Sequence, residues 1–139
     1  MDNLTKERRS WNMGRIRSSN TGPEIKVRSA LHRLGFRFRL HVRNLPGKPD
    51  IVLPKLKQVV FVHGCFWHRH NGCKLAYTPK SRIEFWVEKF RQNILRDELA
   101  QRKLEQIGWG VTTVWECETS SPEAFDATMK KLVTRLKGK

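Results

Sequence analysis

Acidic residues are scarce in this chain. Only 13 Asp and Glu stand against 28 Lys and Arg, which leaves a formal net charge of +15 on 139 residues. A surface with that imbalance attracts polyanions and releases counterions when it meets phosphates, so nucleic acid is the leading partner. Long apolar runs are missing as well. No stretch approaches the ~18 residues needed to span a bilayer, and the polar start Met1-Asp2-Asn3-Leu4 lacks the apolar core of an export signal. A cytoplasmic protein without a membrane partner is the expectation. Cysteine is sparse and odd in number, with Cys65, Cys73 and Cys117 alone, which argues against a disulfide framework and leaves free thiols or metal ligands.

What the chain does contain suits one domain. Residues 1–20 are polar and basic, interrupted by Trp11, Met13 and Ile16, and read as a partly helical arm that orders on DNA; 21–139 form the single folded domain. Thr21-Gly22-Pro23-Glu24 opens a helix, because Pro suits the first turn and Glu suits the positive end of the helix dipole. Val27, Ala30, Leu31 and Leu34 share one face and Gly35 ends it. Alternation of Phe36, Phe38, Leu40 and Val42 with polar residues predicts a half-buried strand. Breakers cluster in Pro46-Gly47-Lys48-Pro49, then short strands follow over 50–53 and 58–63 around a turn at Lys55-Leu56. Residues 64–79 read as irregular. A long helix over 81–107, capped by Ser81, precedes a strand over 109–116 and a last helix from about 122. The order helix, three strands, helix, strand, helix predicts an α/β fold with a small mixed sheet and helices packed on it.

Two clusters carry chemistry. Cys65, His70 and Cys73 form C-x4-H-x2-C in the irregular segment, and Cys117 ends the last strand. Thiolate and imidazole are the ligands Zn²⁺ prefers, and four close a structural tetrahedron. This set uses every cysteine and explains how a segment with little core of its own could order; His68 is a competing fourth ligand by spacing. In the second cluster, a turn centred on Lys55-Leu56 puts Asp50 opposite Phe61, near Val62 and His63, with His68 following. One carboxylate and two histidines suit metal-assisted phosphodiester hydrolysis, in which a metal stabilises charge and a histidine handles a proton. Asn93 and Asp97 lie on the same stripe of the long helix as Trp86 and Phe90. An unpaired buried Asp is costly, so a histidine partner is expected for Asp97. Phe66 and Trp67 adjoin the metal ligands and could wedge between base steps, as could Met13 in the arm. Trp109 and Trp115 read as core.

The strings Pro46-Gly47-Lys48-Pro49-Asp50, Phe61-Val62-His63-Gly64-Cys65-Phe66-Trp67-His68, Glu84-Phe85-Trp86 and Val114-Trp115-Glu116-Cys117 resemble the very short patch repair endonucleases, as does Arg9-Ser10-Trp11-Asn12-Met13. The resemblance covers about residues 7–120. It implies a restriction-endonuclease-like fold, with Phe61 and His63 standing where the usual nuclease of that fold has an acid and a lysine. It implies Asp50 as the Mg²⁺-binding aspartate, with the Val62 carbonyl as a further ligand in place of an expected threonine. It implies His63 and His68 as catalytic histidines, Glu24 as an aid in ordering water at the metal, and Asp97 as a supporting carboxylate, here expected beneath His63. Cys65, His70, Cys73 and Cys117 become the Zn²⁺ ligands, in a loop one residue longer around Asn71-Gly72. Phe66, Trp67 and Trp86 become intercalating aromatics, and Met13 a minor-groove wedge. The implied reaction is a nick in one strand, 5′ to the T of a T:G mismatch left by deamination of 5-methylcytosine. A monomer acting at the bacterial nucleoid, functionally linked to a cytosine methyltransferase and downstream repair proteins, completes the expectation. Its rivals are a restriction-type nuclease on matched DNA and a non-catalytic zinc DNA-binding module.

Overall fold

The computed structural model describes residues 21–138. Helix α1 (Gly22–Arg33) opens as the sequence requires: the Thr21 hydroxyl accepts the Glu24 amide at 3.3 Å and a proline occupies the first turn. Gly35 follows with φ +97°, a left-handed conformation that frees the chain to leave the helix.

Strands β1 (Arg39–Leu40), β2 (Ile51–Leu53), β3 (Gln58–His63) and β4 (Gly110–Trp115) form one mixed sheet in that order. The first two pairs are antiparallel and β3·β4 is parallel. Helix α2 (Cys65–His68) is one turn long and follows β3 directly; α3 (Ile83–Gln106) crosses to β4, and α4 (Pro122–Lys137) closes the described fold. The long helical crossover is what a parallel pair demands.

Side-chain alternation along the strands divides the core between two faces. Ile51, Leu53, Val60 and Val114 pack with Val27 and Leu31 of α1 and with Met129, Leu132 and Leu136 of α4. Val52, Val59, Phe61 and Val111 pack with Leu104 of α3 on the other face. The mixed sheet flanked by helices is the architecture expected from the sequence, and the same alternation puts His63 on the α3 side with Phe61.

Three expectations are corrected. The strand predicted over 36–42 is only two residues long: His41 takes a left-handed conformation (φ +51°) and ends it after Leu40, while Phe36 and Phe38 pack against the α1/α4 core outside the ladder. Ser81 does not cap the long helix. Arg82 precedes it with φ +56°, so regular helix starts at Ile83 without a side-chain cap, and the Arg82 guanidinium lies 4.5 Å from the Phe85 ring centre. The 64–79 segment is not wholly irregular, since its first turn is α2. The residues called an arm, Met13 among them, lie outside the described residues.

One glycine fixes how the site is approached. Gly47 has φ +75°, and an added Cβ would lie 2.6 Å from the Ala100 Cβ and 3.1 Å from the Phe61 ring. The loop leading to Asp50 is therefore pressed against α3 and the sheet at a position only glycine fits.

Candidate active site and metal centre

The register Ile51↔Val60 continues toward the site, so Asp50 arrives beside Val62. The Val62 amide donates to Asp50 Oδ2 at 2.7 Å. Burial, together with the nearby Glu24 carboxylate, pushes Asp50 up to about 6 against the opposing pull of that amide and of His41 and His68. Glu24, from the first turn of α1, is buried. Its Oε2 accepts from Arg28 at 3.0 Å and meets His41 Nε2 at 2.6 Å. Glu24, His41 and Asp50 offer ligand atoms that all lie within 4.8 Å of one another. Two carboxylates so close in a desolvated place fit a hard divalent cation, which relieves the repulsion between them.

A second group lies alongside. His63, His68 and Asp97 also bring their polar atoms within 4.8 Å of one another. The rings of His63 and His68 stack 3.8 Å apart at an interplanar angle of 7°. Asp97 Oδ2 contacts His68 Nδ1 at 2.6 Å. The expected histidine partner for Asp97 is thus present, but it is His68 and not His63. The reason is positional: α2 carries His68 out from the end of β3 over the face of α3, and reaches Asp97 first. Asn93, one turn earlier on α3 and buried, donates to the Trp67 carbonyl at 2.9 Å and holds α2 in that position. Burial and the neighbouring His68 charge lower His63 to about 3, so it remains neutral at physiological pH.

The thiol cluster closes as the composition suggested. Cys65, His70, Cys73 and Cys117 place their ligand atoms within 4.8 Å of one another. His70 Nδ1 lies 3.6 Å from Cys65 Sγ and 3.3 Å from Cys117 Sγ. Tetrahedral Zn–S and Zn–N bonds imply edges of about 3.6 Å, so donor type and spacing both fit Zn²⁺. The loop turns at Gly72, which has φ +72°. Burial pushes the Cys65 thiol up to about 12, and a bound cation would favour its thiolate. The Cys117 amide lies 3.4 Å from Cys65 Sγ. Trp115 joins this centre to the histidines: it stacks on His70 at 4.4 Å and meets His63 edge-on at 5.4 Å. His68 is engaged by Asp97 and is not the fourth ligand of this set.

Phe66 is half-buried in an aromatic group, 5.0 Å from Trp67, 5.5 Å from Trp86, 5.3 Å from Phe90 and 5.1 Å from Tyr77. The three aromatics named as intercalators therefore form one platform. Arg69 braces it, a role the sequence did not suggest. Its guanidinium lies 3.8 Å from the Phe90 ring centre and donates to the carbonyls of Phe66, Ala76 and Tyr77 at 3.1, 2.7 and 3.0 Å. Platform, carboxylates and histidines line a single cleft of about 1490 Å³. That exceeds the roughly 300–1,000 Å³ of a small-molecule pocket and suits a polymer.

The family model described as DNA mismatch endonuclease Vsr matches residues 1–74. The chain is 48% identical to the Type II nicking enzyme V.XorIIP of Xanthomonas oryzae over 132 residues, 95% of this chain and 96% of that one. It belongs to the Vsr family of DNA endonucleases. The Type II nicking enzyme V.NmeAIP of Neisseria meningitidis is 43% identical over 98% of this chain and 96% of its own. The Escherichia coli DNA mismatch endonuclease Vsr is 40% identical over 94% of this chain and 82% of its own. The sequence resemblance is thereby borne out at the level of family, and with it a nuclease that acts on DNA. Among the described residues no helix is long and apolar enough to cross a membrane.

Proposed function

We propose that this Vsr-family chain nicks one strand of duplex DNA 5′ to the T of a T:G mismatch, and so starts very short patch repair of deaminated 5-methylcytosine. The observation that carries the reading is the meeting of the Glu24–Asp50 carboxylates and the Asp97–His68–His63 group in one cleft beside an aromatic platform. Asp50 and the Val62 carbonyl would hold Mg²⁺, with Glu24 ordering water beside them. Bound there, Mg²⁺ would supply charge stabilisation at the scissile phosphate.

The chain's own groups divide the rest. Asp97 fixes His68 with Nδ1 toward the carboxylate, which leaves Nε2 to take a proton from the attacking water. His63, neutral and stacked beneath it, offers a hydrogen bond to the phosphate or leaving group. Phe66, Trp67 and Trp86 would enter the stack at the mismatch, where a weakened base pair lowers the cost of unstacking. Cys65, His70, Cys73 and Cys117 would hold structural Zn²⁺ beneath that platform. Residues 1–20, with Met13 as a minor-groove wedge, would hold the backbone, and 21–139 would be the nuclease domain. One nick needs one active site, so the protein acts as a monomer. Its setting is the bacterial cytoplasm at the nucleoid, in functional partnership with a cytosine methyltransferase and downstream repair proteins.

The test compares a labelled duplex containing one T:G pair with its T:A twin, with Mg²⁺ and with chelator, across several flanking sequences. Nicking confined to the T strand of the mismatched duplex is expected. Equal cutting of both duplexes would establish a restriction-type nuclease, and tight binding without cutting in any context a DNA-binding module. Asp97→Asn probes the proton transfer: it preserves shape but removes the charge that orients His68, and kcat should fall by about 10²–10⁴ with little change in DNA affinity. Nicking kinetics with unaltered kcat would remove Asp97 and His68 from this role.

A further inference from the structure

His41 is the member of the carboxylate cluster that neither its place in the alternating pattern nor the resemblance brought forward. It makes two connections at once. Its Nε2 lies 2.6 Å from Glu24 Oε2, and its backbone amide donates to the Asp50 carbonyl at 3.0 Å. Arg28 also reaches Glu24 Oε2, but it stands four residues along the same helix and moves with it. His41 comes from the end of β1, so its contact ties α1 to the sheet at the point where Asp50 enters β2. The residue holds this place in a left-handed backbone conformation, φ +51°, which L side chains adopt rarely and which persists where surrounding contacts impose it.

We infer that His41 is a positioning residue for the cation site: by gripping Glu24 with its ring and Asp50 with its backbone, it sets the spacing of the two carboxylates. Groups that orient metal-binding side chains commonly govern affinity by about 10–100-fold. His41 touches neither water nor phosphate in this role; it acts through Glu24 and Asp50. The inference rests on the reading of this cluster as the cation site of the nuclease.

The experiment is a Mn²⁺ titration of the zinc-loaded full chain, with free Mn²⁺ read by electron paramagnetic resonance, alongside Tm and nicking. The variants are His41→Gly, which suits the left-handed backbone while deleting the ring, His41→Ala, and His41→Gln, whose amide can still donate to Glu24. The Gly and Ala variants should weaken Mn²⁺ binding by about tenfold or more, and His41→Gln should recover most of it. If His41→Ala does not fold, the Gly and Gln pair decides. A folded His41→Gly that binds Mn²⁺ as tightly as the wild type overturns the inference, as does wild-type protein that binds no Mn²⁺. A wild type whose Mn²⁺ binding depends on His41 but which nicks no duplex would retain the positioning role and lose the nuclease assignment, whereas a nicking wild type with an indifferent His41→Gly would lose the positioning role alone.

Discussion

Asp50→Asn is expected to reduce nicking by about 10³-fold or more while the protein still folds and binds DNA. The substitution keeps the shape and still offers an oxygen to the Val62 amide, but removes the charge that would hold a hard cation against the phosphate. A loss of several kcal/mol of charge stabilisation corresponds to that factor. Single-turnover nicking beside a gel-shift titration checks it, and retained cutting with unchanged Mg²⁺ dependence would show that the cation sits elsewhere. The same side chain gives a pH signature. Its acidity is weakened to about 6, chiefly by burial, so the ionised form that binds a cation prevails above that pH and is lost as pH falls through it. The Mg²⁺ concentration for half-maximal nicking should therefore rise by about tenfold per pH unit below 6, since one proton competes for the place of one cation.

Loss of the thiol cluster should be equally severe, by a different route. Cys117→Ser removes the thiol that meets His70 and ties the 65–73 loop to the end of β4, while the residue 117 amide can still donate to Cys65 Sγ. We expect zinc content to fall from one equivalent toward none. Tm should drop by about 10 °C or more, because the lost ligation amounts to several kcal/mol and each kcal/mol moves a domain of this size by about 4 °C. Nicking should fall with it, since Trp115 lies between His70 and His63 and α2 carries both Cys65 and His68. Metal analysis and calorimetry read this directly. Unchanged zinc content and Tm in Cys117→Ser would dissolve the proposed tetrahedron.

Much of the site was legible before the fold was known, for reasons that can be named. The turn at Lys55-Leu56 fixes a sum of residue numbers across the β2·β3 hairpin, and that sum sets Asp50 opposite Phe61, one residue from the Val62 amide that donates to it. The meeting of the three cysteines was legible because an odd, small set of them in a poorly cored segment leaves few alternatives, whereas spacing left His68 and His70 both open and only the family resemblance pointed to His70. Pairing of Asp97 with a histidine was legible from its place on the helix stripe, but not which histidine. That depends on α2 being a single helical turn that swings His68 over α3, and a turn so short leaves no periodicity in the sequence. His41 was hidden for a related reason. In an alternating run of Leu40, His41 and Val42 it looks like the solvent side of a strand, while the structure ends the strand there through a left-handed residue. Arg69, braced against Phe90 while bonding three carbonyls, likewise left no mark beyond one more positive charge in a chain rich in them.

This cleft is expected to cut one strand at a mismatch. The most direct measurement labels both strands of a single T:G duplex, incubates it with Mg²⁺ and wild-type protein, and maps the products at nucleotide resolution, with Asp50→Asn in parallel. One product is expected, from cleavage of the T strand at the phosphate 5′ to the mismatched T, and none from the variant. Cleavage of both strands, or a nick whose position ignores the mismatch, would contradict it.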